Sequence, residues 1–263
     1  MSDIPSIDIT VAHSARVWNY WLGGKDNYPV DRELGDQILR TYPGIATDAR
    51  AGRAFLVRGI THLAGKEGVR QFLDIGTGLP TADNTHEVAQ SVAPESRVVY
   101  VDDDPMVLAH ARALLVGTEE GATRFVDNDL CEVDKVLAEA GELLDFDRPV
   151  ALSVVGTLGH LPDLERARAV MERYKEALAP GSFVLVGDHV MPDDPAAVEA
   201  LDQWNDGAAL AYRTHTEQEF ASYFDGLELL EPGVVPSTRW RTEEPEIGKA
   251  PHTDMYGAVG RKP

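Results

Sequence analysis

Between residues 69 and 190, short apolar runs alternate with stretches whose apolar positions recur every three or four residues. The runs fall at 71–75, 97–101, 123–126, 149–155 and 182–186, and the helical period occupies 84–92, 105–115, 132–140 and 163–178. In the last of these, Leu164, Ala167, Met171, Tyr174 and Leu178 form one stripe, and Pro180-Gly181 ends it. Strands that are apolar on both faces and separated by helices make a parallel sheet covered on both sides. The pattern therefore predicts a doubly wound α/β fold.

The flanks read differently. Residues 1–66 carry no strand signal and predict three helices, which are expected to form an N-terminal helical cap or lid. The first, at 11–22, ends at Gly23-Gly24; the second, at 31–41, stops ahead of Pro43; the third, at 46–64, places Leu56, Ile60 and Leu63 along one stripe. The core then runs over 67–263, with a helical insertion at about 191–225. The second helix of that insertion opens with Thr216-x-x-Glu219, a capping box in which each side chain satisfies a backbone donor of the other. Strands near 227–235 and 253–259 close the chain and bring the expected sheet to seven strands.

Composition narrows the chemistry. The chain has 263 residues, 43% of them hydrophobic, and four tryptophans, which suits a globular protein with a sizeable core. Its 44 acidic and 24 basic residues give a net charge of −20, and no run of five Lys/Arg gathers the bases into a patch. Such a chain is repelled by phosphate backbones and anionic membranes, so general nucleic-acid binding is not expected. Cys131 is the only cysteine, which leaves no intrachain disulfide and no cysteine-based zinc site. The longest nearly apolar stretch, 150–161, is too short to span a bilayer, and residues 1–10 have neither the basic nor the apolar region of a leader. A soluble, cytoplasmic protein is the expectation.

The strongest local signal is the run from Phe72 to Thr81, in which a strand leads into a turn with glycines at 76 and 78. Glycine there permits positive φ and lets a ligand approach the backbone; the plainer alternative is an ordinary strand–helix turn. The next strand ends at Asp102, 26 residues after Gly76, where a carboxylate can accept hydrogen bonds from both hydroxyls of a ribose. Asp103 and Asp104 follow, and part of that cluster supplies helix N-terminal charge. The third strand ends in Asp127-Asn128-Asp129-Leu130. Asp129 is placed either to accept from an exocyclic amine such as adenine N6 or to cap the helix starting near Glu132.

A dinucleotide turn would carry a third glycine where this chain has Thr81, after Pro80, and the turn lacks a basic residue for a pyrophosphate. No G-x-x-x-x-G-K-[ST] is present, which excludes a P-loop. A ligand with ribose and adenine but no phosphate fits better, and S-adenosylmethionine is such a ligand. The order Asp-x-Gly-x-Gly, an acid ending the second strand and Asp-Leu after the third resembles class I S-adenosylmethionine-dependent methyltransferases. More specifically, the chain resembles a bacterial S-adenosyl methyltransferase family formerly carried as a domain of unknown function. The likeness rests on Arg16 to Tyr28, Arg70 to Thr81, Asn84, His86 to Gln90, and Tyr256 to Pro263. The resemblance implies a Rossmann-like fold and S-adenosylmethionine as cofactor. By it, Asp74, Gly76 and Gly78 shape the loop beside the methionine part, Asp102 takes the ribose, and Asp129 with Leu130 the adenine; Thr77 and Asp103 are counted with them as cofactor-binding. Gly156 then opens the segment beside the reacting centre.

Methyl transfer from a sulfonium is an in-line displacement, so alignment and exclusion of water dominate, and a base is needed only if the acceptor must lose a proton. His160 and His189 are the candidate bases, each weighed against a purely structural hydrogen-bonding role. No Cys/His or H-E-x-x-H arrangement supports a metal. Arg53, with Arg50, is a candidate partner for the cofactor carboxylate. The segment around Gly23-Gly24 reads either as a lid hinge, with Tyr20, Gly24, Asp26 and Tyr28 facing the pocket, or as a helix C-cap. Asn-Pro-Pro-Tyr, common in enzymes that methylate base or amide nitrogens, is absent after the fourth strand. The expected partner is a small-molecule acceptor. Two alternatives stay open: a non-catalytic S-adenosylmethionine sensor and a nicotinamide-dependent oxidoreductase.

Overall fold

A computed structural model describes residues 7–80, 83–114, 117–242 and 251–263. Thr81, the position of the third glycine in a dinucleotide turn, and Leu115, at the end of the helix expected at 105–115, lie outside the described residues. Five parallel strands form the centre: β1 (Gln71–Ile75), β2 (Arg97–Asp102), β3 (Ala122–Asp127), β4 (Ala151–Val155) and β5 (Phe183–His189). Between them run α4 (Thr85–Val92), α5 (Pro105–Leu114), α6 (Val133–Ala140) and α7 (Leu164–Ala177). Three antiparallel pieces complete the sheet: β6 (Glu228–Leu229), β7 (Val235–Pro236) and β8 (Met255–Arg261). The order is β3-β2-β1-β4-β5-β8-β6, with β7 also paired to β8. The chain therefore reverses direction of winding between β1 and β4, where open α/β sheets bind ligands.

The described sheet has eight strands where the sequence predicts seven, because the run at 227–235 is broken by a turn through Pro232 and Gly233 into β6 and β7. Alternation along the central strands explains the two cores. Leu73, Ile75, Val99, Val101, Leu152 and Val154 pack on one side with α6 and α7, while Phe72, Val98, Tyr100 and Ala151 pack on the other. Pairing with β8 carries β5 on to His189, three residues beyond the apolar run at 182–186.

Of the N-terminal helices, α1 (Ser14–Trp21) and α2 (Pro29–Thr41) join α8 (Pro195–Gly207) in a small separate core of Val17, Trp21, Leu34, Ile38, Ala200 and Trp204. This trio roofs the carboxyl ends of the strands. In contrast, α3 (Ile45–Gly65) lays Phe55, Leu56, Ile60 and Leu63 against Phe72, Val98 and Leu185, so it belongs to the layers of the core and not to the cap. Its apolar stripe is long enough to need a sheet face for burial. The boundary expected at residue 66 therefore does not separate α3 from the sheet. The insertion likewise divides: α8 joins the cap, whereas Phe220 of α9 (Glu217–Ser222) enters the core beside α7. At its start Thr216 Oγ1 accepts from Glu219 N at 3.1 Å and Glu219 Oε2 accepts from Thr216 N at 2.8 Å, as the capping box requires.

The Gly23-Gly24 pair is a helix terminus. Gly23 has φ +83°, its N–H donates to Tyr20 O at 2.9 Å, and Gly24 N–H donates to Asn19 O at 2.8 Å, which is a Schellman C-cap. A Cβ on Gly24 would fall 2.5 Å from Asn19 Cγ, so the close approach also requires glycine. Buried Arg16 and Asp31 pair at 3.0 Å, and Asp31 further accepts from His13 N at 3.0 Å and Tyr28 N at 2.8 Å. The cap is tied to the core by His13 against Asp104 at 2.8 Å and by Ser14 against His160 at 2.9 Å.

Candidate functional site

The turn after β1 is held from three sides. Gly76 N–H donates to Val101 O at 2.9 Å, and Gly76 and Gly78 have φ of +67° and +66°. A Cβ on Gly76 would lie 2.5 Å from Thr157 Cγ2, whereas Gly78 has open space where its Cβ would be. Asp74, one residue before the end of β1, is buried and does not point its carboxylate freely into the cavity. Its two oxygens each accept a hydroxyl, from Thr85 and from Ser153, both at 2.7 Å. Burial pushes the Asp74 carboxyl up, and those hydroxyls and the Arg53 charge oppose the push. The β1–β4 register sets Ser153 directly beside Asp74, so this acid fixes the turn from below. Thr77 adds a hydrogen bond from its hydroxyl to Asp74 O at 3.1 Å.

Asp102 closes the turn from the neighbouring strand. Gly78 N–H donates to its Oδ2 at 2.8 Å and Asp104 N–H to its Oδ1 at 3.0 Å, so each oxygen keeps a lone pair for an incoming hydroxyl. Burial, opposed by those two amides, raises its carboxyl to about 6. Asp103, beside it, is raised by partial burial of its carboxyl and by the nearby Asp129 charge. Asp129 serves the backbone: its Oδ1 accepts from Cys131 N at 2.8 Å, closing the turn ahead of α6. Leu130 is tied down through its carbonyl, which accepts from Tyr174 Oη at 2.9 Å. Asp129 and Leu130 nevertheless both face the same cavity as Asp102.

That cavity, about 420 Å³, brings together Arg53, Asp74, Gly76, Thr77, Gly78, Asp102, Asp103, Asp129, Leu130, Gly156, His160 and His189 from the sequence reading. Arg53 reaches in from α3, with Nη2 donating to Asp83 O at 2.7 Å; burial lowers its guanidinium, against the pull of Asp74. Gly156 has φ +68°, and a Cβ there would stand 3.7 Å from the Trp18 ring, so this turn lies directly under the cap. Arg50 is exposed and does not line the cavity.

Four expected lid residues lie elsewhere. Tyr20 Oη donates to Asp36 on α2 at 2.6 Å, and Asp26 sits 4.0 Å from His110. Gly24 forms the helix terminus, and Tyr28 caps α2 with Arg16 5.4 Å over its ring. None of the four lines the cavity. Their aromatic neighbours Trp18 and Trp21 do.

The two histidines differ. In His160, Nδ1 donates to Ala211 O at 3.0 Å and Nε2 accepts from Ser14 Oγ at 2.9 Å, so both nitrogens are committed. Burial pushes its imidazole down, keeping it neutral. It locks α1 to the loop before α9, a structural role. His189 uses Nδ1 to donate to Tyr212 Oη at 3.2 Å, while Tyr212 gives its own proton to Asp188. Asp188 also accepts from His189 N at 2.8 Å and Gly159 N at 3.1 Å. Although burial alone would raise Asp188, buried His215, whose Nε2 lies 3.8 Å from Oδ2, and the Tyr212 hydroxyl hold it below the usual carboxylate range. The Nε2 atom of His189 is buried and without a hydrogen-bond partner, 3.9 Å from Asp48 Oδ2.

Sequence reasoning missed a cluster at this end: Tyr42, Asp48, Tyr212 and Asp254 also line the cavity. They come from α2–α3, the insertion and the start of β8, and no local motif joins them. Among the described residues no group of three or more His, Cys, Asp or Glu is arranged to hold a metal ion. No helix of the described residues is long and apolar enough to cross a membrane.

An open glycine turn without basic residues, a carboxylate with two free lone pairs and a guanidinium on the same wall suit an adenosyl amino acid better than a dinucleotide. Comparison with known proteins agrees. The profile of the S-adenosyl methyltransferase family matches residues 2–263. A crystal structure of a DUF574 family protein from Streptomyces avermitilis is 40% identical, with a TM-score of 0.93, covering 98% of this chain and all 100% of that one. A putative methyltransferase from Thermobifida fusca is 38% identical, with a TM-score of 0.89, covering 100% of this chain and 99% of the other. The mitomycin 7-O-methyltransferase MmcR is 16% identical with a TM-score of 0.53, over 94% of this chain and 71% of its own, and shares the fold. No curated protein matches. With the glycine turn tied to the Asp102 carboxylate and the family profile matched from residue 2 to residue 263, the chain belongs to the S-adenosyl methyltransferase family, and its cofactor is S-adenosylmethionine.

Proposed function

We propose that the protein transfers the methyl group of S-adenosylmethionine to a small-molecule acceptor held under the α1–α2–α8 cap. The observation that carries this reading is the continuity of one cavity, from Asp102 and the glycine turn, past Gly156, to Trp18, His189 and Tyr212. When bound, the cofactor supplies an electrophilic methyl group on a sulfonium sulfur. The chain's own part is placement and shelter. Asp102 accepts from the ribose, the turn at Gly76–Gly78 lets the backbone approach, and Arg53 pairs with the amino-acid carboxylate. Trp18, Trp21 and Trp204 cover the reacting region and keep water out. A net charge of −20 disfavours a nucleic acid as acceptor and favours neutral or cationic ones.

Calorimetric titration of the purified protein with S-adenosylmethionine, S-adenosylhomocysteine and NADH tests the cofactor end. Binding of the two adenosyl ligands, with NADH inert, is expected; binding of NADH alone would sink the reading. Arg53→Lys is expected to weaken S-adenosylhomocysteine about tenfold, some 1.4 kcal/mol, and to leave adenosine binding unchanged. Equal losses for both ligands would mean that Arg53 acts through the turn at Asp83 and not on the carboxylate.

A further inference from the structure

The end of the cavity away from Asp102 is chemically unlike the rest. Asp48, fully buried in the first turn of α3, and Asp254, 8% exposed just before β8, both line it. Tyr42 Oη bridges them, 3.3 Å from Asp48 Oδ2 and 3.1 Å from Asp254 Oδ2. Thr253 Oγ1 donates to Asp48 Oδ1 at 2.6 Å. Among the described residues, no lysine or arginine pairs with either acid. Their basic neighbours are imidazoles: His189, 3.9 Å from Asp48, and the largely exposed His252, 3.3 Å from Asp254. Burial pushes the Asp48 carboxyl up, opposed by His189 and the Thr253 hydroxyl and helped by the Asp254 charge. Two buried carboxylates with one hydroxyl proton between them are costly unless a positive group joins them.

A second, independent observation is the His189 Nε2 atom. It is buried on a residue 8% exposed, has no hydrogen-bond partner, and lies 3.9 Å from Asp48 Oδ2 on a side chain that lines the same end. Because Tyr212 gives its proton to Asp188, Nδ1 is the donor toward Tyr212, and in the neutral ring Nε2 carries the lone pair. The surrounding walls are aromatic: Tyr42, Trp18, Trp204 and Tyr212, with the Trp18 ring 6.2 Å from that of His189. Such faces attract cations. The sheet order β2-β1-β4-β5 sets this end three strand spacings, roughly 14 Å, from Asp102, on the far side of the glycine turn from the ribose.

We propose that this end binds the methyl acceptor as an amine, with its ammonium between Asp48 and Asp254 and its apolar body against the tryptophans. The inference rests on the methyltransferase reading above. His189 Nε2 takes one proton from the ammonium nitrogen, whose lone pair then forms a bond to the methyl carbon. The S–CH3 bond breaks with its electron pair staying on sulfur, giving S-adenosylhomocysteine. The nitrogen leaves as a methylated ammonium, and the proton passes from His189 to water.

The test is calorimetry on the full chain saturated with S-adenosylhomocysteine, using a panel of aryl- and alkylamines such as tryptamine and phenethylamine, each paired with the alcohol that replaces its amine. Amines are expected to bind at least about tenfold more tightly than the paired alcohols. That preference should disappear in Asp254→Asn and in Asp48→Asn. Because Asp48 also holds Thr253, circular dichroism of both variants accompanies the titration, and Asp254→Asn alone suffices if Asp48→Asn does not fold. Equal binding of amines and alcohols, or no binding of either at millimolar concentration, overturns the proposal. So does a loss of S-adenosylhomocysteine affinity in Asp254→Asn as large as the loss of amine affinity, since the acids would then hold the cofactor's own ammonium. Failure of S-adenosylhomocysteine to bind wild-type protein would instead strike the methyltransferase reading itself.

Discussion

Asp102→Ala is expected to weaken S-adenosylhomocysteine binding about 100- to 1,000-fold while the protein stays folded. Two hydroxyl-to-carboxylate hydrogen bonds would disappear, each worth about 1.5–2 kcal/mol, at the lower end for bonds to a charged group. The alanine also releases the N–H groups of Gly78 and Asp104, so the turn itself loses its tie to β2. Asp102→Asn keeps one acceptor oxygen and turns an amide donor toward an N–H, and it should fall between alanine and wild type. Calorimetry with circular dichroism on each variant measures the effect; a loss smaller than about fivefold in folded Asp102→Ala would place the ribose elsewhere.

The same carboxyl makes binding depend on pH. It titrates near 6 in the folded protein, above the ordinary 3.8. The folded state therefore holds this proton more tightly than the unfolded chain. Its contribution to stability is complete below 3.8 and is lost as pH rises through 6. Cofactor binding needs the opposite form, because a protonated oxygen gives up an acceptor site. Affinity for S-adenosylhomocysteine should fall by up to about tenfold per pH unit below 6, and the ligand should raise the melting temperature more at pH 8 than at pH 5. A flat affinity between pH 5 and 8 would show that Asp102 stays ionised throughout.

What the sequence disclosed follows from range. The parallel sheet, the glycine turn and Asp102 are written in segments where a strand, its turn and its terminal residue are contiguous, and hydrophobic alternation suffices to find them. The capping box at Thr216 and Glu219 is local for the same reason. The acceptor end is not. Asp48 and Asp254 are 206 residues apart and meet because β8 runs antiparallel to β5 and brings Met255 beside His189. No spacing rule reaches across that distance. The expected lid residues failed to converge for a related reason: Tyr20 and Trp21 are adjacent on a helix, so when Trp21 turns toward Trp204, Tyr20 must turn toward Asp36. The glycine pair was legible both as hinge and as cap, and two backbone hydrogen bonds decide for the cap.

Gly76→Ala and Gly78→Ala, compared side by side, should separate the two reasons for glycine in the turn. Both residues have φ near +66°, which costs a non-glycine residue about 1–2 kcal/mol. At Gly78 nothing else stands within 4 Å of the new methyl, so the folded protein should lose only that amount. At Gly76 the methyl also meets the Thr157 side chain, with Cγ2 at 2.5 Å and Cβ at 2.9 Å, and this buried side chain, whose hydroxyl donates to Val155 O at 3.2 Å, cannot retreat freely. Overpacking of this kind adds about 1–3 kcal/mol, so Gly76→Ala should cost about 2–5 kcal/mol in all. Urea unfolding of the two variants measures the difference. Removing Thr157 in a Gly76→Ala/Thr157→Gly double variant should recover the steric part and leave the backbone part, a coupling that neither single change reveals. Binding sorts the pair the other way. Gly78 leaves open space at the cavity wall, so an alanine methyl there would enter the volume proposed for the cofactor, and S-adenosylhomocysteine affinity should collapse in a protein that is nearly as stable as wild type. If Gly78→Ala binds normally, the cofactor does not approach that backbone, and the open space there belongs to solvent.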